Sequence, residues 1–184
     1  MIRVRKWYLF VNFFVFLISL TIQAGARDFK TPERAIKDVF PDVQIEIKNL
    51  ILSEEQKERV EKLSGTKMDS RLVSWYVAKR EGKILGYAYI DIHTVRTHQE
   101  TVLYVINPSG GIEVIEVLSF NEPLEYMPDE NWLKLFKGRV LAGENLILRR
   151  DIPNISGATL TARAITNNTR KVLALWNVLF GGKR

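Results

Sequence analysis

The sequence contains no cysteine. Disulfides, thiolate nucleophiles, cysteine-ligated iron–sulfur clusters and covalent c-type haem are excluded together. Histidine is nearly as scarce. His93 and His98 are the two imidazoles in 184 residues, too few for a convincing metal cluster. No Ser/His/Asp constellation and no paired carboxylates in a recognisable frame stand out, so no catalytic residue is assigned. Any redox chemistry must come from an organic cofactor. Positive charge is also thinner than the formal +6 suggests, because Arg3, Arg5 and Lys6 lie in the first 26 residues, which hold no acid. Removing those three from 27 basic residues leaves 24 against 21 acidic, or +3. With no basic, aromatic-interleaved face either, nucleic acid is not an expected partner.

What is present begins with those cations. They precede an apolar run from Trp7 to Ile22, and Ala24-Gly25-Ala26 supplies the small-residue pattern of a signal-peptidase site. The strictly apolar part is 16 residues long and includes Asn12, short of the roughly 20 needed to span a bilayer. Extended to Ala26 it is long enough. Residues 1–26 therefore read as a signal peptide or an uncleaved membrane anchor. Either way the cations stay inside, and 27–184 lie beyond the cytoplasmic membrane, in an extracytoplasmic (periplasmic) location.

The remainder is long enough for one domain with a real core. Thr31–Pro41 predicts a short helix with Thr31 as cap and Pro32 at its first position. Val43–Leu52 alternates like a strand, and Ser53 with Gln56 predicts a capping box opening a charged helix to about Leu63. Alternating runs flank Glu81-Gly82-Lys83 and again Asn107–Gly111, which predicts two hairpins. Pro128–Gly138 predicts a short helix capped by Asp129. A final helix is expected from near Ser156 to about Phe180, with Leu160, Ile165, Val172, Leu173, Trp176 and Leu179 as its sheet-facing stripe. The fold class is α+β: an antiparallel sheet of two or more hairpins covered by helices.

One stretch carries chemistry. "SGATLT" (Ser156–Thr161) stands at the start of the final helix. The first N–H groups of a helix lack intrahelical partners, and the dipole adds positive potential, so the position favours a phosphate. Gly157 and Ala158 leave room for a bulky group, and Thr159 offers a hydroxyl beside it. Arg163, one turn on, is placed to reach a negative group held there. The same residues also suit an ordinary cap, since Ser and Thr close helix starts routinely.

"SGATLTARAI" resembles the flavinylation motif of the FMN-binding domain family, which includes the extracytoplasmic FMN subunits of the sodium-pumping NADH:quinone oxidoreductase and of ferredoxin:NAD oxidoreductase. In that family an exported, FAD- and magnesium-dependent flavin transferase links FMN through its phosphate to the last threonine of the motif. The resemblance thus implies covalent FMN on Thr159, with Ser156, Gly157, Ala158, Leu160, Thr161 and Arg163 around it. "NEPLEYMPDENWLKLFKG" is similar to a further family stretch beside the flavin, which implies cofactor contacts from Glu122 and Pro123. Glu122 and Glu125 also read as plain solvated loop acids.

Two departures stand out. The family aspartate falls at Pro153 here, with Asp151 and Asn154 on either side. "HTVRTHQET" (His93–Thr101) replaces a segment that is often glycine-rich, so Arg96, Thr97 and His98 stand as contacts for flavin or partner, or as a polar loop. The implied function is that of an electron carrier relaying charge within a membrane-associated redox chain, with a flavin transferase and membrane redox proteins as partners. A freestanding flavin reductase and a flavin-free assembly module of the same fold remain the alternatives.

Overall fold

The computed structural model describes residues 30–142 and 145–181, and the expected export segment lies outside them. Thr31 caps helix α1 (Pro32–Val39), accepting a bond from the Arg34 N–H at 3.4 Å. Proline fills the first helical position, where a missing N–H costs nothing. Strand β1 (Gln44–Ile51) leads into α2 (Glu54–Ser64) through the expected capping box. There the Gln56 N–H donates to Ser53 Oγ at 3.1 Å, and the Ser53 N–H donates to Gln56 Oε1 at 3.0 Å.

Both expected hairpins form, as β2 (Leu72–Arg80) with β3 (Lys83–Thr94) and β4 (Gln99–Ile106) with β5 (Ile112–Phe120). Glu81 and Gly82 turn the first with φ of 50° and 76°, the positive pair that matches strand twist in a two-residue loop. The five strands pair antiparallel in sequence order, β1-β2-β3-β4-β5. Alternation sends Trp75, Val77, Tyr87, Val102, Tyr104 and Ile115 to one face and Ala88, Leu103, Val105 and Leu118 to the other. Ala35 and Ile36 of α1 cover the second face. Helix α3 (Glu130–Lys134) is capped by Asp129, whose Oδ1 accepts the Trp132 N–H at 2.8 Å. It is shorter than the Pro128–Gly138 expected, because the chain turns from Leu135 onward.

Helix α4 (Thr159–Trp176) covers the first face and ends in a π turn, Asn177–Gly181. It begins three residues after the expected Ser156, because Gly157 adopts φ 79°, a left-handed conformation that no right-handed helix can include. Ile165, Val172, Leu173 and Trp176 are buried as expected, whereas Leu160 is 40% exposed and lies outside the core stripe. Among the described residues no helix is long and apolar enough to cross a membrane.

Helix α4 runs antiparallel to β3. Trp176 packs on Tyr87 with ring centroids 6.0 Å apart, Lys171 reaches Asp91, and Thr159 shares a cleft with Val95. Strand rise from Tyr87 to Val95 and helix rise from Trp176 to Thr159 both give roughly 26 Å. The three contact points therefore match an antiparallel alignment of α4 over the segment from Tyr87 to Val95.

Candidate functional site

The start of α4 is open. Ala158 occupies the cap position with φ −115° and ψ 39°, and no side chain caps the helix. Neither Ser156 nor Thr159 plays the capping role that their residue types allow. Ser156 and Gly157 are exposed, Thr159 is half-buried as the first helical residue, and Thr161 is buried. The backbone bond from the Ala162 N–H to the Ala158 carbonyl, 3.0 Å, closes the first turn. The N–H groups before it, with the helix dipole, make this end favourable for an anion. A Cβ at Gly157 would meet nothing within 4 Å, so the approach to Thr159 is unobstructed there.

The Thr159 hydroxyl is held from one side. Asn154 Nδ2 donates to Thr159 Oγ1 at 3.0 Å and to the Ile155 carbonyl at 3.2 Å. Asn154 Oδ1 is buried and has no partner. The loop that presents Asn154 is pinned by Trp132, whose Nε1–H donates to the Pro153 carbonyl at 2.8 Å. Asp151, two residues before Pro153, is engaged elsewhere. It accepts the Ile147 N–H at 2.9 Å and pairs with Arg150 at 3.0 Å.

Three segments distant in sequence meet at Thr159. A cleft of about 80 Å³ is lined by Gly157–Thr161, by Val95 and Arg96, and by Glu122 and Tyr126. Glu122 is 8% exposed and fastens the β3–β4 loop. Its Oε1 accepts the N–H groups of Thr97, His98 and Arg96 at 2.9, 3.1 and 3.2 Å. The Thr97 N–H and its two neighbours hold the carboxyl below the usual carboxylate range. Arg96 lies over the Tyr126 ring, 5.3 Å from its centroid. So Glu122 and Arg96 join the motif at the cleft. Pro123 and Arg163 do not line it: Pro123 heads the short 3₁₀ turn Leu124–Tyr126, and Arg163 lies exposed on α4. Thr97 and His98 contribute backbone to Glu122, while their side chains bond each other at 2.9 Å.

A second cluster lies beneath the middle of α4. His93 is in β3 and not in the loop. Its Nδ1 is 2.8 Å from Asp91 Oδ2, and its Nε2 is 3.1 Å from Glu100 Oε2. The latter contact is unaligned, leaving His93 Nε2 and both Glu100 oxygens without a hydrogen bond. Lys171 Nζ reaches Asp91 Oδ1 at 2.7 Å. Burial alone would lower His93, but Asp91 and Glu100 push it up to about 9. Burial would raise Asp91, yet His93 and Lys171 keep it below its ordinary value, while Glu100 is raised by burial. The sequence carried a signal for this cluster. Asp91 and His93 share the parity of core-facing Tyr87 and Tyr89, and Glu100 that of Val102 and Tyr104, so strand parity places three ionisable groups on the inside of the sheet.

The fold resembles that of Shewanella oneidensis NqrC. The crystal structure of that protein matches with a TM-score of 0.52 over 80% of this chain and 86% of its own, at 16% identity. At that identity the likeness is one of fold. No protein-family profile and no curated protein matches the sequence. A larger cleft, about 590 Å³, lies along β5 and α3 between Lys30, Val114, Met127 and Leu133, and no residue of the Ser156–Thr161 motif lines it.

Proposed function

We propose that the chain is an extracytoplasmic electron-transfer flavoprotein that carries FMN, linked through its phosphate to Thr159, and relays electrons within a membrane-associated redox chain. One observation carries the reading: a threonine hydroxyl at the first position of an uncapped helix, beside an open glycine. The likeness to NqrC supports it at the level of fold, since the NqrC-type FMN subunits belong to the family that the motif resembles.

The residues present fit the phosphate end of such a group. Unpartnered first-turn N–H groups suit its charge, Gly157 leaves the space, and Asn154 Nδ2 donates to the attachment oxygen at 3.0 Å. Arg163, exposed one turn further on, is within helical reach of the same end. The cleft, at about 80 Å³, is far below the roughly 300 Å³ at which pockets begin to enclose ligands. These residues would therefore hold the tether, and the cleft itself has no room for a ring system. When bound, FMN supplies reversible uptake and release of electrons. The protein's part is attachment and orientation: Thr159 anchors, Asn154 fixes the anchor, and Glu122 fastens the loop that closes the far wall.

Maturation requires a flavin transferase on the same side of the membrane, which residues 1–26 provide for by directing export. Co-expressed with such a transferase, the wild-type chain stays fluorescent on a denaturing gel. Thr159→Ala removes that fluorescence while leaving the fold intact by circular dichroism. Fluorescence that persists in the variant rules out Thr159 as the anchor.

A further inference from the structure

We propose that Asn154 is the positioning residue for covalent modification of Thr159, and that it orients the hydroxyl without accepting its proton. The inference rests on the proposed flavin attachment and goes to how this chain achieves it. A threonine hydroxyl has one hydrogen and two lone pairs. The bond from Asn154 Nδ2, 3.0 Å, occupies one lone pair and leaves the other for attack. The donor is held by a second side-chain bond and by a clamp on the backbone beside it. Its Nδ2 also bonds the Ile155 carbonyl at 3.2 Å, and the Pro153 carbonyl just before it is clamped by Trp132 at 2.8 Å. An immobile donor removes rotamer freedom from the Thr159 side chain before any partner arrives, which is how orientation lowers a barrier.

The side chain's chemistry sets the limit of its role. An amide is not a base at physiological pH. Glu122, the carboxylate that lines the same cleft, has its Oε1 filled by three backbone N–H groups and its Oε2 3.6 Å from His98 Nδ1. Asp151 is committed to Arg150 and the Ile147 N–H. The transfer then balances as follows. The Thr159 Oγ–phosphorus bond forms and the pyrophosphate P–O bond of FAD breaks. AMP leaves with the bridging oxygen, and the hydroxyl proton passes to a base of the transferase.

The test is the initial rate of flavin attachment by a purified transferase with its FAD and magnesium, read by in-gel fluorescence and intact mass. Thermal midpoints are measured alongside. Asn154→Ala loads about tenfold more slowly than wild type at an unchanged midpoint, the effect of losing one orienting bond. Asn154→Asp, which has no hydrogen to donate to Thr159, also loads more slowly than wild type. Equal rates for wild type and Asn154→Ala overturn the inference, as does an Asn154→Asp that loads as fast as wild type. A wild-type chain that takes up no flavin overturns the proposed function, and this inference with it.

Discussion

The two ends of α4 are built from opposite materials. At its C-terminal end Trp176 and the following Phe180 meet Tyr87 and Trp75 in a ring cluster with centroids 4.6 to 6.4 Å apart. Trp176 is 4% exposed and Trp75 is fully buried. At the N-terminal end, 17 residues earlier by the span Thr159–Trp176, small and polar residues surround an uncapped turn. One end of the helix is spent on cohesion and the other is left available. Helices gain most of their stability from packing of an apolar face, not from their termini, so an end can be left open when the opposite end is held this firmly. Between the two lies the Asp91–His93–Glu100–Lys171 cluster, which ties the middle of α4 to β3 and β4 and keeps the open end in register with the loop at Val95.

The largest expected effect comes from breaking the cohesive end. Trp176→Ala removes a buried ring from the cluster and destabilises the domain by about 3–5 kcal/mol, measured by urea unfolding. At temperatures where the variant is still folded, attachment at Thr159 proceeds at the wild-type rate, because the anchor lies at the other end. A variant that stays folded but loads slowly would show that the two ends are not separate in function.

The middle of the helix gives the next largest effect, through pH. His93 has its folded value raised to about 9 from 6.5, so the folded state holds this proton more tightly than the unfolded chain. Its contribution is therefore fully present below pH 6.5 and is lost as pH rises through about 9. That loss is about 3 kcal/mol. Asp91 has the opposite sign: its value is lowered, so its contribution is present above its ordinary value and lost in acid. Unfolding free energies between pH 6 and 10 should thus fall for wild type and run nearly flat for His93→Asn. Parallel slopes in the two proteins would remove His93 from the balance.

The open end responds least in stability and most in function. Gly157→Ala places a side chain at φ 79°, which costs about 1 kcal/mol of backbone strain, although no atom stands in the way. Loading by the transferase should nevertheless drop, because the turn that presents Thr159 must shift. If thermal stability falls by much more than this while loading is unchanged, Gly157 serves the fold alone.

This contrast also explains which parts were legible in the sequence. The cohesive end is written in periodicity: Val172, Leu173 and Trp176 recur at helical spacing, and the hairpins alternate cleanly around Glu81-Gly82. The capping box at Ser53–Gln56 and the Thr31-Pro32 start follow local rules that tertiary contacts leave alone. The open end was harder to place. Ser156 has the residue type of a cap, but a left-handed Gly157 delays the helix to Thr159, and φ is not written in a residue's identity. Leu160 fits the apolar stripe by spacing, yet it falls on the first turn, beyond the edge of the core. The cluster at Asp91, His93, Glu100 and Lys171 was hidden because its members come from three elements. Its parity marked them as inward-facing, while their type suggested solvent. Asn154 and Glu122 owe their roles to contacts across 5 and 24–26 residues, which no local pattern encodes.

The most direct test is mass spectrometry of tryptic peptides from protein co-expressed with a flavin transferase. Cleavage after Arg150 and Arg163 releases Asp151–Arg163, which holds the three hydroxyls of Ser156, Thr159 and Thr161. The covalent-flavin reading predicts that this peptide gains the mass of FMN less one water, and that fragmentation places the addition on Thr159. An unmodified peptide, or an addition on Ser156 or Thr161, would contradict it.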